Sequence, residues 1–143
     1  MSIQVEVQRR GLDIRIVADE IPSEILPGLV KKIADYTYAL MSAKAPVRSG
    51  RLLGSIREEV LGLEATVGPT VPYAIYVEYG TSPHVILPVF ARTLRFETSG
   101  KVVFTPIVHH PGTRPQPFIQ ETAEDARGQI PGLWQEVAKE GIR

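Results

Sequence analysis

The chain has no cysteine among its 143 residues, which excludes a disulfide scaffold, thiol catalysis and any cysteine-ligated zinc or iron–sulfur centre. It has no net charge either. Sixteen basic residues balance sixteen acidic ones, so the total announces neither nucleic acid, a membrane surface nor an acidic substrate. No segment approaches the roughly 20 consecutive apolar residues that cross a bilayer. The opening stretch MSIQVEVQRR alternates polar and apolar residues and lacks the apolar core of a signal peptide. A product made in the cytoplasm, which an assembled particle could still carry outside, fits these absences. Phosphate-binding G-x-x-x-x-G-K-S/T and G-x-G-x-x-G loops are missing, and no serine stands in a G-x-S-x-G elbow.

What is present is enough apolar sequence for a core and an excess of chain-stiffening residues. Hydrophobic residues make up 43% and charged residues 22%, which predicts one packed domain spanning residues 1–143. Twelve prolines and twelve glycines, many between Pro69 and Pro117, predict a loop-rich middle with defined turns.

The periodicity predicts an α+β fold, a long helix in the first half and a C-terminal helix packed on an antiparallel sheet. Ile3 and Val5 read as a strand broken at Arg9-Arg10-Gly11. Alternation resumes at Ile14, Ile16 and Ala18, as a hairpin or as two short strands. Leu26, Leu29, Val30, Ile33, Thr37, Leu40 and Met41 recur at helical spacing from Glu24 to Lys44, with Ser23 as the expected cap, Pro27 in the first turn and Pro46 as the stop. Residues 57–68 read as a hairpin turning near Gly62. The segment Tyr73–Gly80 is a strand by composition or a short helix by spacing. Residues 93–97 and 101–104 face each other across a three-residue Thr98-Ser99-Gly100 loop. The final helix begins near Pro117, and Pro131 is expected to kink or interrupt it.

Candidate reactive groups are few. His84, His109 and His110 lie in the proline-rich middle and could meet Glu78 in a metal site, although adjacent residues of a strand point to opposite faces. Glu78 is the only carboxylate of a tyrosine-rich segment. If half-buried it needs a cationic partner, for which Arg51 and Arg114 are the candidates. Tyr73, Tyr76 and Tyr79 fit either core packing or a protein interface, where tyrosine is enriched. Arg48, Arg51 and Arg57, with Lys31-Lys32, are modest basic clusters without the interleaved aromatics of single-strand binders.

Three segments carry a resemblance. Ala45-Pro46-Val47-Arg48-Ser49-Gly50-Arg51-Leu52-Leu53-Gly54-Ser55-Ile56 resembles the A-P-x-x-S/T-G-x-L-x-x-S-I signature of tailed-phage head–tail joining or tail-completion (neck) proteins. Tyr73, Tyr76, Val77, Glu78, Tyr79, Gly80 and Thr81 match Y-x-x-Y-V/I-E-F/Y-G-T. His110, Pro111, Gly112, Thr113, Pro115, Pro117 and Phe118 match H-P-G-T-x-P-x-P-F. Together they cover roughly residues 20 to 140, in the same order as in that family.

The resemblance implies a virion structural protein that is not an enzyme and needs no cofactor or metal. Such proteins join head to tail or finish the top of the tail tube, commonly as a ring of six copies. They contact connector, tail-terminator or tail-tube proteins, without a membrane, while DNA passes through. Pro46, Gly50, Arg51, Leu52, Tyr73, Tyr76, Glu78, Tyr79, Gly80, Arg114 and Phe118 are the expected fold-determining or subunit-interface residues. Residues 81–113 are expected to project as a hairpin arm touching a neighbouring subunit or ring through Val85, Ile86, Leu87, Phe90, Phe96 and Phe104, since an isolated hairpin needs a partner for its apolar face. A conduit must not grip phosphates, so Arg48, Arg51 and Arg57 are expected to sit mostly in ion pairs. Two other readings stand beside this one. The first is a small metal-dependent hydrolase using His84, His109 or His110 with Glu78. The second is a peptide-binding module with exposed strand edges.

Overall fold

A computed structural model describes residues 2–8, 11–17, 23–89 and 92–141. Arg9-Arg10, Ala18 and Phe90 lie outside these residues. Two strands, β1 (Ser2–Gln8) and β2 (Gly11–Val17), pair in antiparallel register from Ser2 opposite Val17 to Gln8 opposite Gly11. Of the two arrangements open in the sequence, they adopt the paired one. The hairpin of β3 (Ile56–Leu61) and β4 (Glu64–Pro69) completes a sheet of order β1-β2-β4-β3, with β4 antiparallel to β2.

One face of this sheet is apolar and the other polar, as a period of two requires. Val5, Leu12, Ile14, Ile56, Ala65 and Val67 are buried on the inner face, whereas Gln4, Glu6, Arg15, Arg57, Glu59 and Thr66 are exposed on the outer one. Against the inner face lies α1 (Leu26–Lys44), burying Leu26, Leu29, Val30, Ile33, Ala34, Thr37 and Met41. Thr37 is tolerated there because its hydroxyl donates to the Ile33 carbonyl at 2.7 Å.

The start of α1 differs from the expected one. The helix begins at Leu26 after Ile25, and no side chain caps it. Pro27 occupies the second helical position, where its missing N–H costs little because the first amides of a helix have no intrahelical acceptor. Ser23 and Glu24 lie in the turn that precedes the helix. The stop is as expected, with Ala45 extended ahead of Pro46. Gly50, at φ +81°, then reverses the chain into α2 (Arg51–Gly54), which returns Leu52 and Ile56 to the core.

The last helix, α4 (Phe118–Gly141), packs along α1. Its small residues Ala123 and Ala126 are buried and allow close approach, with Ile130 and Val137 extending the contact. Pro131 is exposed, and the helix continues through it unbroken. The residue removes one hydrogen bond, to the Arg127 carbonyl, but on the solvent side that oxygen is free to bond water. Lys44 pairs with Asp125 at 2.8 Å, and Lys32 pairs with Glu136 at 3.1 Å and Glu140 at 3.3 Å. These pairs are exposed and add little beside the apolar seam. Ile33, with no exposed surface, sits at the centre of the core. Ile33→Ala is expected to cost about 2–5 kcal/mol in chemical denaturation, against less than about 0.5 kcal/mol for a change at exposed Gln129.

Between β4 and α4 the chain leaves the body. After α3 (Ala74–Tyr79) it forms an antiparallel ribbon with β5 (His84–Ile86) paired to β8 (Val108–His110) and β6 (Leu94–Thr98) paired to β7 (Lys101–Thr105). Each of these strands finds its main packing partner within the ribbon. The tip differs from the expected three-residue loop. Thr98 pairs with Lys101, so only Ser99-Gly100 turn, both at positive φ. That two-residue geometry matches the twist of the flanking strands.

Candidate functional site

The root of the ribbon is where the motif residues converge. Of the two readings of Tyr73–Gly80, the structure adopts the helix. In α3, Ala74 and Glu78, four residues apart, face inward together, whereas Tyr76 and Tyr79 point outward at 60% and 59% exposure. The segment thus buries its one acid and displays two of its tyrosines. Tyr73 is half-buried at the helix entrance, with the Arg51 guanidinium 6.0 Å from its ring centre. This contact joins the first motif to the second.

Glu78 is only 3% exposed. Its carboxylate accepts two backbone hydrogen bonds at the start of α4, Ile119 N–H to Oε2 at 2.9 Å and Gln120 N–H to Oε1 at 2.9 Å. The partner is therefore a helix N-terminus and neither Arg51 nor Arg114; among the described residues neither arginine forms an ion pair. The first amides of a helix have no intrahelical acceptor and carry the positive end of its dipole, so they serve a buried carboxylate as a cation would. Burial pushes the Glu78 carboxyl above its ordinary value. The two amide bonds pull it back, and nearby Glu121 adds to the rise.

A strap closes around this contact. Thr81 and Thr113 exchange backbone hydrogen bonds at 3.1 and 3.0 Å, and their hydroxyls meet at 3.0 Å. Gln116 N–H donates to the Val77 carbonyl at 2.8 Å. Phe118, 2% exposed, is driven into the core at the first position of α4. Gly80 (φ +71°) and Gly112 (φ +83°) sit where any side chain would overlap backbone of the opposite leg, Thr113 and Pro115 for the former, Thr81 and Ser82 for the latter. Arg114 is exposed on the strap.

Above the root, His84 lies directly opposite His110 with ring centres 4.8 Å apart and stacked, while His109 pairs with Val85. Gly112 N–H donates to His110 Nδ1 at 3.0 Å, and His84 Nδ1 lies 2.9 Å from the Ser82 carbonyl. The oxygens of Glu78 are both taken by α4, so the metal set imagined from sequence does not converge. Among the described residues no three His, Cys, Asp or Glu side chains are grouped to hold a metal.

Further out, Val85, Leu87 and Phe104 are exposed, and Ile86 is half-buried. The backbone of Phe96 pairs with Val103; its side chain and Phe90 lie outside the description. Among the described residues, Arg48, Arg51 and Arg57 form no ion pairs, contrary to expectation. Arg57 instead donates to the carbonyls of Gly54 at 2.7 Å and Ile56 at 2.9 Å, and Arg48 is exposed without an acidic partner among the described residues. The Lys31-Lys32 pair is ion-paired, Lys31 with Asp35 and Glu58, and Lys32 with Glu136 and Glu140 near the end of α4.

Among the described residues no helix is long and apolar enough to cross a membrane. No curated protein matches the chain, and no solved structure matches it either. One family model does match: the HK97-gp10-like model, described as a tail component of bacteriophage HK97, aligns with residues 2–80. Those residues run from β1 through α3 to Gly80, which is more than half of the chain and includes the whole sheet, α1 and the Glu78 segment. By that match, the chain belongs to the HK97-gp10-like family of bacteriophage tail components.

Proposed function

We propose that the chain is a virion structural subunit, one domain with an arm, that forms a ring around the DNA path at the head–tail junction or the top of the tail tube. It is made in the host cytoplasm and acts in the particle. It works by contact rather than by catalysis, with further copies of itself, commonly six, and with connector, tail-terminator or tail-tube proteins. Membership of a tail-component family supports the virion role. The observation that carries the assembly reading is the ribbon, which displays Val85, Leu87, Val89, Val102, Phe104 and Ile107 to solvent. A two-stranded ribbon is marginal in water, and exposed apolar residues in one segment mark a surface meant for a partner.

The ribbon is held for that purpose by its root. The threonine pair, the two glycines and the Glu78 contact fix where it leaves the body, so the arm enters assembly with little freedom left to lose. The balanced charge suits a conduit, because each neutralised phosphate would add salt-sensitive affinity and slow the DNA.

Deleting the arm tests this directly. With Ser82–Gly112 replaced by a short glycine–serine linker, the Thr81–Thr113 bridge still holds the two legs together. The shortened protein is expected to stay folded, with a melting temperature within about 5 °C of wild type. Phage complemented with it should yield no completed particles. Normal particle yield would show that the arm is dispensable.

A further inference from the structure

The outer face of the sheet carries a row of acidic residues in which the Thr66 hydroxyl donates to Asp13 Oδ1 at 3.1 Å. Across its four strands Glu6 lies opposite Asp13, Asp13 opposite Thr66 and Thr66 opposite Glu59. Three carboxylates thus share one transverse row, and none forms an ion pair among the described residues. Glu6 and Asp13, directly opposite on neighbouring strands, repel each other, and a cation brought to the row would relieve that. Beside the row lies a groove of about 590 Å³ between the β3–β4 hairpin and α3, with Arg57 and Glu59 at its rim and Gly68, Val71, Pro72 and Ile75 along its length. Gly68 lines the groove with backbone alone, since it has no side chain.

The ribbon has the complementary character. On one face Arg95 sits opposite Phe104, and Glu97 opposite Val102. Phe104 is 64% exposed and Val102 47%. The other face is more covered, with Leu94 and Val103 half-buried. Along the arm Arg92, Arg95 and Lys101 outnumber Glu97, so in a neutral chain the remainder is net negative. None of these three cations forms an ion pair among the described residues. The arm does not lie on its own groove, since Phe104, Val102 and Glu59 are all exposed.

We infer that the groove beside α3 receives the arm of a second copy of this chain, with Phe104 as the anchor in the groove and Arg95 against the carboxylate row at Glu59. Exposed aromatic and arginine residues side by side are the usual composition of an interface anchor. The contact is head-to-tail, arm to groove, and leaves one free arm and one free groove at every step, as a closing ring needs. This deepens the ring-forming role and rests on it.

The absence of cysteine makes the test clean. Val102→Cys is placed on the arm and Thr66→Cys beside the groove, in separate full-length chains, and particles assembled from an equal mixture are oxidised. A covalent dimer containing one copy of each variant is expected, and neither variant alone should give it. Particles that contain the chain but no mixed dimer would overturn the docking and leave the ring role standing. Particles that lack even the wild-type chain would overturn the ring role, and mixed oxidation of the purified variants would then decide the docking by the same band. Charge reversal supplies a second readout. Arg95→Glu and Glu59→Arg are each expected to lower incorporation about tenfold, the double variant recovering to within about twofold of wild type. A double variant no better than the singles would contradict the pairing.

Discussion

Glu78→Ala is expected to lower the stability of the protein by roughly 2–4 kcal/mol, because it strands two amides at the buried start of α4. For a chain of this length that corresponds to a fall of about 5–15 °C in melting temperature. Glu78→Gln keeps one acceptor oxygen but turns an NH₂ group toward the second amide, so it should cost about half as much. The pH dependence separates the two roles of the carboxylate. Its folded-state pKa is raised, chiefly by burial, so protonation favours the folded state. That contribution is fully present below the unfolded value near 4.5 and is lost as pH rises through the folded value. Wild type should therefore gain stability relative to Glu78→Gln as the pH falls through this window. A constant difference between the two across that range would mean that Glu78 is solvated. Equal melting temperatures for wild type, Glu78→Gln and Glu78→Ala at pH 7 would remove it from the root of the arm altogether.

The second large effect is expected at Gly80. Gly80→Ala would place a methyl group against the backbone of Thr113 and Pro115 at a φ of +71°. Backbone strain and forced displacement together amount to roughly 3–5 kcal/mol. The damage should be local, with faster amide exchange at Thr81, Thr113 and Gln116 and loss of assembly. Gly128→Ala is the control. Gly128 lies exposed within α4 with open space at its Cβ position, so alanine should stabilise by about 0.5–1 kcal/mol. If both variants behave alike, the two legs of the strap are not in contact at Gly80.

The long elements were legible in the sequence because each is periodic over several turns or several alternations. Leu29, Val30, Ile33, Thr37 and Met41 announce α1, and Gly62 marks the β3–β4 turn. The end signals of α1 were less legible. Ser23 has the chemistry of a cap, but the helix starts later, after Ile25, and no side chain caps it. The partner of Glu78 was hidden for a different reason. Sequence letters advertise arginine and lysine, whereas the positive end of a helix belongs to the backbone. One signal was available: Pro115-Gln116-Pro117-Phe118 opens α4 without a Ser, Thr, Asp or Asn to cap it, so its amides require an acceptor from elsewhere. The outward aim of Tyr76 and Tyr79 follows from the same contact, because turning Glu78 toward α4 leaves them no other face.

The ring-forming role is tested most directly by an electron-microscopic structure of the assembled particle that contains this chain. It should show a closed ring on the tail axis at the head–tail junction or the top of the tube, with each arm contacting a neighbouring subunit or ring. The DNA path through it should lack a dense lysine and arginine lining. Isolated copies off the tail axis, or a ring whose arms point into solvent, would contradict it.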